Sequence, residues 1–135
     1  MAIERINPDS IASPVEGLYA QVVVASGTRR VHIAGQVAID RDGNLVGPGD
    51  YKSQATQAWA NVKAAIHAVG GTGHDITNYT IAVVNHEPHL VEVIYGAGMQ
   101  VFGDEFPRAA AILVGVQCLG YPEWLIEIEA DGVLD

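Results

Sequence analysis

From Tyr51 to Val69 the apolar residues Ala55, Ala58, Trp59, Val62, Ala65, Ile66 and Val69 return at steps of three and four, which puts all seven on one face of a helix. Both ends are marked. Asp50 stands where an N-cap would accept the first free N–H groups, and Gly70-Gly71 offers the left-handed conformation that closes a helix. A helix with one apolar stripe has to bury it on another layer, and the sequence on either side of it reads as strand.

Before the helix, LYAQVVVAS (18–26) and RRVHIAGQVAID (29–40) are rich in β-branched residues and meet at Gly27, the pattern of a β-hairpin. Asn7-Pro8-Asp9 and Ser13-Pro14 mark an irregular arm ahead of them, and Asp42-Gly43 starts a turn that leaves room for a very short strand at Leu45 and Val46. After the helix come a strand in NYTIAVVN (78–85) and a second helix from about Pro88 to Phe102. Two strands, RAAAILVGV (108–116) and WLIEIEADGV (124–133), then flank the loop QCLGYPE. The order β-β-(β)-α-β-α-β-β predicts a single α+β domain over residues 1–135, a sheet with two helices on one face. The other sheet face is too apolar for free exposure, so oligomerisation through it is expected.

With seven Lys and Arg against sixteen Asp and Glu, the net charge is −9, so the average field repels phosphate backbones and anionic lipid surfaces. Neither nucleic acid nor membrane is expected as a partner. No apolar run is long enough to span a bilayer, and MAIERINPDS lacks the pattern of a secretory signal, which points to a cytoplasmic protein. A single cysteine, Cys118, builds neither a disulfide framework nor a cysteine zinc site from one chain. His86 and His89 in HEPH lack the spacing of a zincin helix and read as loop residues, so no metal is expected. Nucleotide-binding glycine motifs and a nucleophile elbow are also missing.

Two places carry candidate chemistry. Arg108 opens an otherwise apolar strand in EFPRAAAILVGV, where a planar fork of N–H donors suits the carboxylate of a small acid. The alternative is a surface pair with Asp104 or Glu105, the commoner arrangement on composition alone. Glu127 and Glu129 alternate with Trp124, Ile126 and Ile128, so both carboxylates fall on the sheet face opposite the apolar one. Either both are simply solvated, or one activates a water as general base.

Several segments in order resemble the RidA/YjgF family over nearly the whole chain. LYAQVVVASG is similar to the family's first strand, G-P-Y-S-Q-A-V, and VHIAGQVAID with GNLVG resembles its S-G-Q-I-P-x-D strand and turn. The helix QATQAWANVKAAIHAVGGTGHDI resembles Q-x-x-x-x-x-N-x-x-A-x-L-x-A-A-G, FPRAA resembles P-A-R-[SA]-A, and LIEIEADGV the closing V-E-I-E-A. The resemblance implies a chorismate-mutase-like fold, a homotrimer, and sites in clefts between neighbouring subunits. It implies hydrolytic deamination of 2-imino and 2-enamino acids to 2-oxo acids and ammonia, without a cofactor. Arg108 matches the arginine that binds the substrate carboxylate, and Glu127 the acid that activates water. Tyr19 matches the tyrosine lining the cleft, and Gly35 supplies backbone beside it. Ala34 stands where a serine is common and Tyr95 where an asparagine is common, while the 117–123 connection is about four residues longer than usual. These departures leave two alternatives open: a non-catalytic, carboxylate-binding or chaperone-like trimer, and a pathway-specific deaminase for a bulkier acid. Some family members are also described as ribonucleases or translation inhibitors, an activity the acidic charge argues against here.

Overall fold

The helix expected between Asp50 and Gly70 forms as α1 (Tyr51–Ala68) in the computed structural model, which describes residues 2–135. Asp50 caps it, its Oδ1 accepting from the N–H groups of Lys52 and Ser53, while the Ser53 hydroxyl donates to Oδ2 at 2.7 Å. These hydrogen bonds, that of the Ser53 side chain first, lower the Asp50 pKa. Ala55, Ala58, Trp59, Val62 and Ile66 are fully buried, as the period requires. Val69 departs from it, because the helix ends one residue earlier and the side chain stays exposed.

Gln54 is the polar exception on the buried face. Its amide donates to the carbonyls of Gly47 and Glu123 and accepts from Leu125 N–H, so all of its strong contacts are made inside the protein. It ties the start of α1 to the chain just before the last strand.

The second helix, α2 (Leu90–Phe102), begins two residues beyond Pro88 and packs on α1. Gly98 permits their approach: a Cβ there would lie 2.7 Å from the Trp59 ring. Trp59 sits at the centre of the core, donating from Nε1 to the Ile94 carbonyl at 3.0 Å. It meets Tyr79, Phe102 and Phe106 edge-on or tilted at centroid distances of 5.3 to 6.0 Å. No helix among the described residues is long and apolar enough to cross a membrane.

Both helices cover one face of a four-stranded sheet. Its strands are β3 (Arg29–Gln36), β4 (Ile76–Val84), β5 (Ala110–Val116) and β6 (Ile126–Leu134), in the order β3-β6-β4-β5. Strands β4 and β5 run parallel with α2 as the crossover, and the other pairs are antiparallel. Ile126, Ile128 and Ala130 point into the core, and Glu127, Glu129 and Asp131 point to the uncovered face, as the alternation predicts. That face also carries Ile112, 54% exposed on β5.

The expected hairpin does not form. Residues 22–26 are β2 (Val22–Ser26), which pairs with a strand the sequence reading missed, β1 (Ala2–Ile6), in a separate ribbon, while β3 pairs with β6. The cause lies at Gly27, where a Cβ would meet Val133 Cγ1 at 2.5 Å and the Leu134 carbonyl oxygen at 2.7 Å. The chain presses against the end of β6 there and passes from ribbon to sheet instead of folding back on itself. The short strand expected at Leu45 and Val46 reduces to one bridge, Ile39 to Leu45, closed by a turn in which Asp40 accepts from Asp42 and Asn44 N–H.

Candidate functional site

Arg108 follows the buried Pro107 and lies two residues before β5, with an exposed side chain. Its Nη1 donates to the Gly17 carbonyl at 2.6 Å, and its own carbonyl accepts from Arg5 Nε at 2.9 Å. The Gly17 carbonyl is presented by a tight turn, Val15–Gly17, in which both Glu16 (φ 50) and Gly17 (φ 66) are left-handed. Glycine takes that conformation freely; glutamate does so at a cost that the surroundings must offset.

The surface ion pair weighed for Arg108 is not present. The Glu105 carboxylate is instead bonded to His67 Nε2 at 2.9 Å and to Gly73 N–H at 3.2 Å. Its pKa is lowered, chiefly by the His67 hydrogen bond. Among the described residues no carboxylate pairs with Arg108, so its guanidinium keeps donors free for a ligand.

Tyr19 stands on the same side as Arg108. It is half-buried against the core, and the Ala20 N–H beside it donates to the Ala109 carbonyl at 3.1 Å. Tyr95 belongs to this side too, but its ring is mostly internal, 6.4 Å from Tyr79 and 6.1 Å from Phe106. Among the described residues the Tyr79 hydroxyl makes no hydrogen bond of good geometry, and the Tyr95 hydroxyl is its polar neighbour. Burial raises the pKa of both phenols.

Glu127 lies elsewhere. It is half-buried on the uncovered face of β6, opposite Ala82, without a side-chain hydrogen bond or ion pair among the described residues. Its carboxylate rests on Gly35, where a Cβ would stand 2.3 Å from Oε2. Ala34 and Gly35 occupy the register shift between Ile33 and Gln36, with the Gln36 amide donating to the Ala34 carbonyl at 2.9 Å. The irregular strand and the missing side chain together let the glutamate lie over the backbone.

The predicted site residues therefore fall into two groups: Arg108, Tyr19 and Tyr95 on one side, Glu127, Gly35 and Ala34 on the other. Sheet register measures their separation. Glu127 shares a row with Ala82, and Ala82 with Val114, six positions beyond Arg108 and two strands across. At about 3.3 Å per residue along the strands and about 4.8 Å between them, the Cα atoms are of the order of 20 Å apart, too far for one small ligand to touch both side chains of one chain. Arg5, Glu16 and Gly17, which position Arg108, were missed by sequence reasoning; the turn pair Glu16-Gly17 was the only local signal.

Gly35→Ala tests how the carboxylate is seated. The new methyl meets only the end of a flexible side chain, so stability should change by no more than about 1 kcal/mol while Glu127 is pushed aside. A thermal melt close to wild type with about a tenfold loss of whatever activity Glu127 supports is the expected result. A melting temperature far below wild type would show that Gly35 serves the fold instead.

A family model described as endoribonuclease L-PSP matches residues 10–134. The chain belongs to this family, the RidA/YjgF proteins. Among solved RidA/YjgF relatives is the Rid-family protein YyfB of Yersinia pestis, of unknown function. It is 37% identical over 99% of this chain and 100% of its own, with a TM-score of 0.90. The YjgF gene product of Escherichia coli is 29% identical, covering 85% of this chain and 87% of its own, with a TM-score of 0.63. Escherichia coli TdcF, solved with bound serine, is 28% identical over 85% of this chain and 87% of its own, at a TM-score of 0.65. The RidA/YjgF fold is thus shared across the whole chain, including the two helices on one sheet face.

Proposed function

We propose that this protein hydrolyses small 2-imino and 2-enamino acids to 2-oxo acids and ammonia, at sites assembled between neighbouring copies in a homotrimer. The observation that carries this reading is a pair of opposite charges, Arg108 and Glu127, neither with a charged partner among the described residues, which one chain holds too far apart to meet on one substrate. A second copy docked on the uncovered sheet face would bring one chain's arginine to the next chain's glutamate. Serine bound to TdcF supports the view that this fold can hold a small amino acid.

The chemistry asks for little beyond positioning. Arg108 binds the substrate carboxylate through its free N–H donors, with Tyr19 against the substrate, and the C2 carbon of a protonated imine is already electrophilic. Glu127 takes a proton from water as the water oxygen bonds to C2, giving a carbinolamine. Transfer of a proton to nitrogen and collapse of the C–N bond release ammonia and leave the 2-oxo acid. An enamine enters the same path after protonation at C3.

A second reading, carboxylate binding without turnover, draws on two observations: Ala34 brings no hydroxyl to the Glu127 side, and Tyr95 turns its ring into the core. One assay separates the two. Protein is added to an amino-acid oxidase that generates imino acids, and release of ammonia and 2-oxo acid is followed. Wild type should accelerate it, and Arg108→Ala should lower kcat/KM by about 10- to 100-fold, the worth of hydrogen bonds to a charged group. Equal rates for the two proteins would defeat the deaminase reading, and saturable 2-oxo acid binding without acceleration would establish the second.

A further inference from the structure

The turn that holds Arg108 also forms the rim of a cavity. Between the 15–18 segment and α2 lies an opening of about 270 Å³, lined chiefly by the apolar groups of Val15, Leu18, Val91, Tyr95 and Met99. Val15 and Met99 leave it open to solvent, at 61% and 39% exposed. Its size is at the small end of ligand sites. Arg108 Nη1 is bonded to the carbonyl of Gly17, which sits between the lining residues Glu16 and Leu18, so guanidinium and cavity share one short turn. Two further carboxylates, Glu16 and Glu92, also line the opening.

We infer that this cavity is the side-chain subsite of the same reaction, selecting 2-imino acids with an apolar branched or thioether side chain over those with a methyl group or a distal carboxylate. The inference rests on the deaminase reading for its reaction and on the cavity for its selectivity. A substrate whose carboxylate lies on Arg108 has the 16–18 turn beside it, and the apolar surface that this turn lines is there to be covered by the substrate's side chain. Each buried methylene there is worth about tenfold or more in selectivity. A second carboxylate on the substrate would enter between Glu16 and Glu92 and be repelled by both.

Gly96 allows a direct test. It lines the cavity on α2, a Cβ there meets nothing within 4 Å, and its φ is ordinary. Replacing a helix glycine with a larger residue at such a place favours the fold, so Gly96→Phe fills the cavity without breaking the helix. Wild type should hydrolyse the leucine-derived imine with kcat/KM about tenfold or more above the alanine-derived one, and Gly96→Phe should erase that ratio. In Glu92→Lys, the ratio of glutamate-derived to alanine-derived imine should rise about fivefold or more.

Calorimetric binding of the unreactive 4-methyl-2-oxopentanoate and pyruvate keeps selectivity separate from catalysis. Hydrolysis of both imines at equal efficiency, with both ratios unmoved in the variants, would overturn the subsite and leave the deaminase standing. Absence of hydrolysis would remove the deaminase. Tighter binding of 4-methyl-2-oxopentanoate, lost in Gly96→Phe, would still establish the subsite, and equal or undetectable binding of the two acids would end it.

Discussion

Glu127→Gln is expected to reduce kcat by about 10²- to 10⁴-fold, the usual contribution of a positioned general base, with KM changed by a factor of about two at most. The amide has the shape of the carboxylate and can rest on Gly35 in the same way, but it cannot accept the proton of the attacking water. In the proposed site the substrate carboxylate is bound by Arg108, six residue positions along and two strands across from Glu127 in the same chain, so affinity should survive. Glu129→Gln is the matched control, since Glu129 lies two positions along the same face and is exposed beside Thr80. It should stay within a factor of about two of wild type, as surface substitutions do. If Glu127→Gln retained a third or more of wild-type kcat, the glutamate would be one more solvated carboxylate on the uncovered sheet face, the alternative the sequence left open.

How much of this was legible in the sequence follows from what a periodic pattern can encode. A period of 3.6 in 55–69 fixed the buried face of α1 almost residue by residue, and the alternation in IEIEA placed Glu127 on the face away from the core. Period says which way a side chain points but not which strand lies beside it. The partner of β2 was therefore misread: it depended on a contact between Gly27 and the end of β6, more than a hundred residues away in the chain. Residues 2–6 were missed as a strand for the same reason, being recognisable only by the ribbon they complete. Arg108 stood out as an isolated charge on an apolar strand, yet nothing local showed that Glu105 would be taken by His67 and leave the arginine unpaired. Tyr95 shows the reverse: its position matched a cleft residue, and its burial against Tyr79 and Phe106 is set by packing. Least legible of all was the separation of Arg108 from Glu127, which appears only when the β4-β5 and β4-β6 registers are read together.

That separation makes the strongest prediction. If each site takes its arginine from one chain and its glutamate from a neighbour, Arg108→Ala and Glu127→Gln disable different halves of the same site. Each homotrimer would be nearly inactive. When the two are unfolded, mixed in equal amounts and refolded together, an Arg108-bearing chain stands at a given interface half the time and a Glu127-bearing chain faces it half the time. About a quarter of the sites should then be intact in a closed ring of head-to-tail contacts. Activity should recover to about a quarter of wild type, roughly 25-fold or more above the Glu127→Gln homotrimer, with the wild-type KM. The double variant Arg108→Ala, Glu127→Gln mixed with wild type is the control: intact pairs again form at about a quarter of the interfaces, so both mixtures should reach the same level. A site built within a single chain gives the opposite pattern. The two single variants would then fail to complement at any ratio, while the control mixture would keep half the activity, and the two-chain site would have to be abandoned.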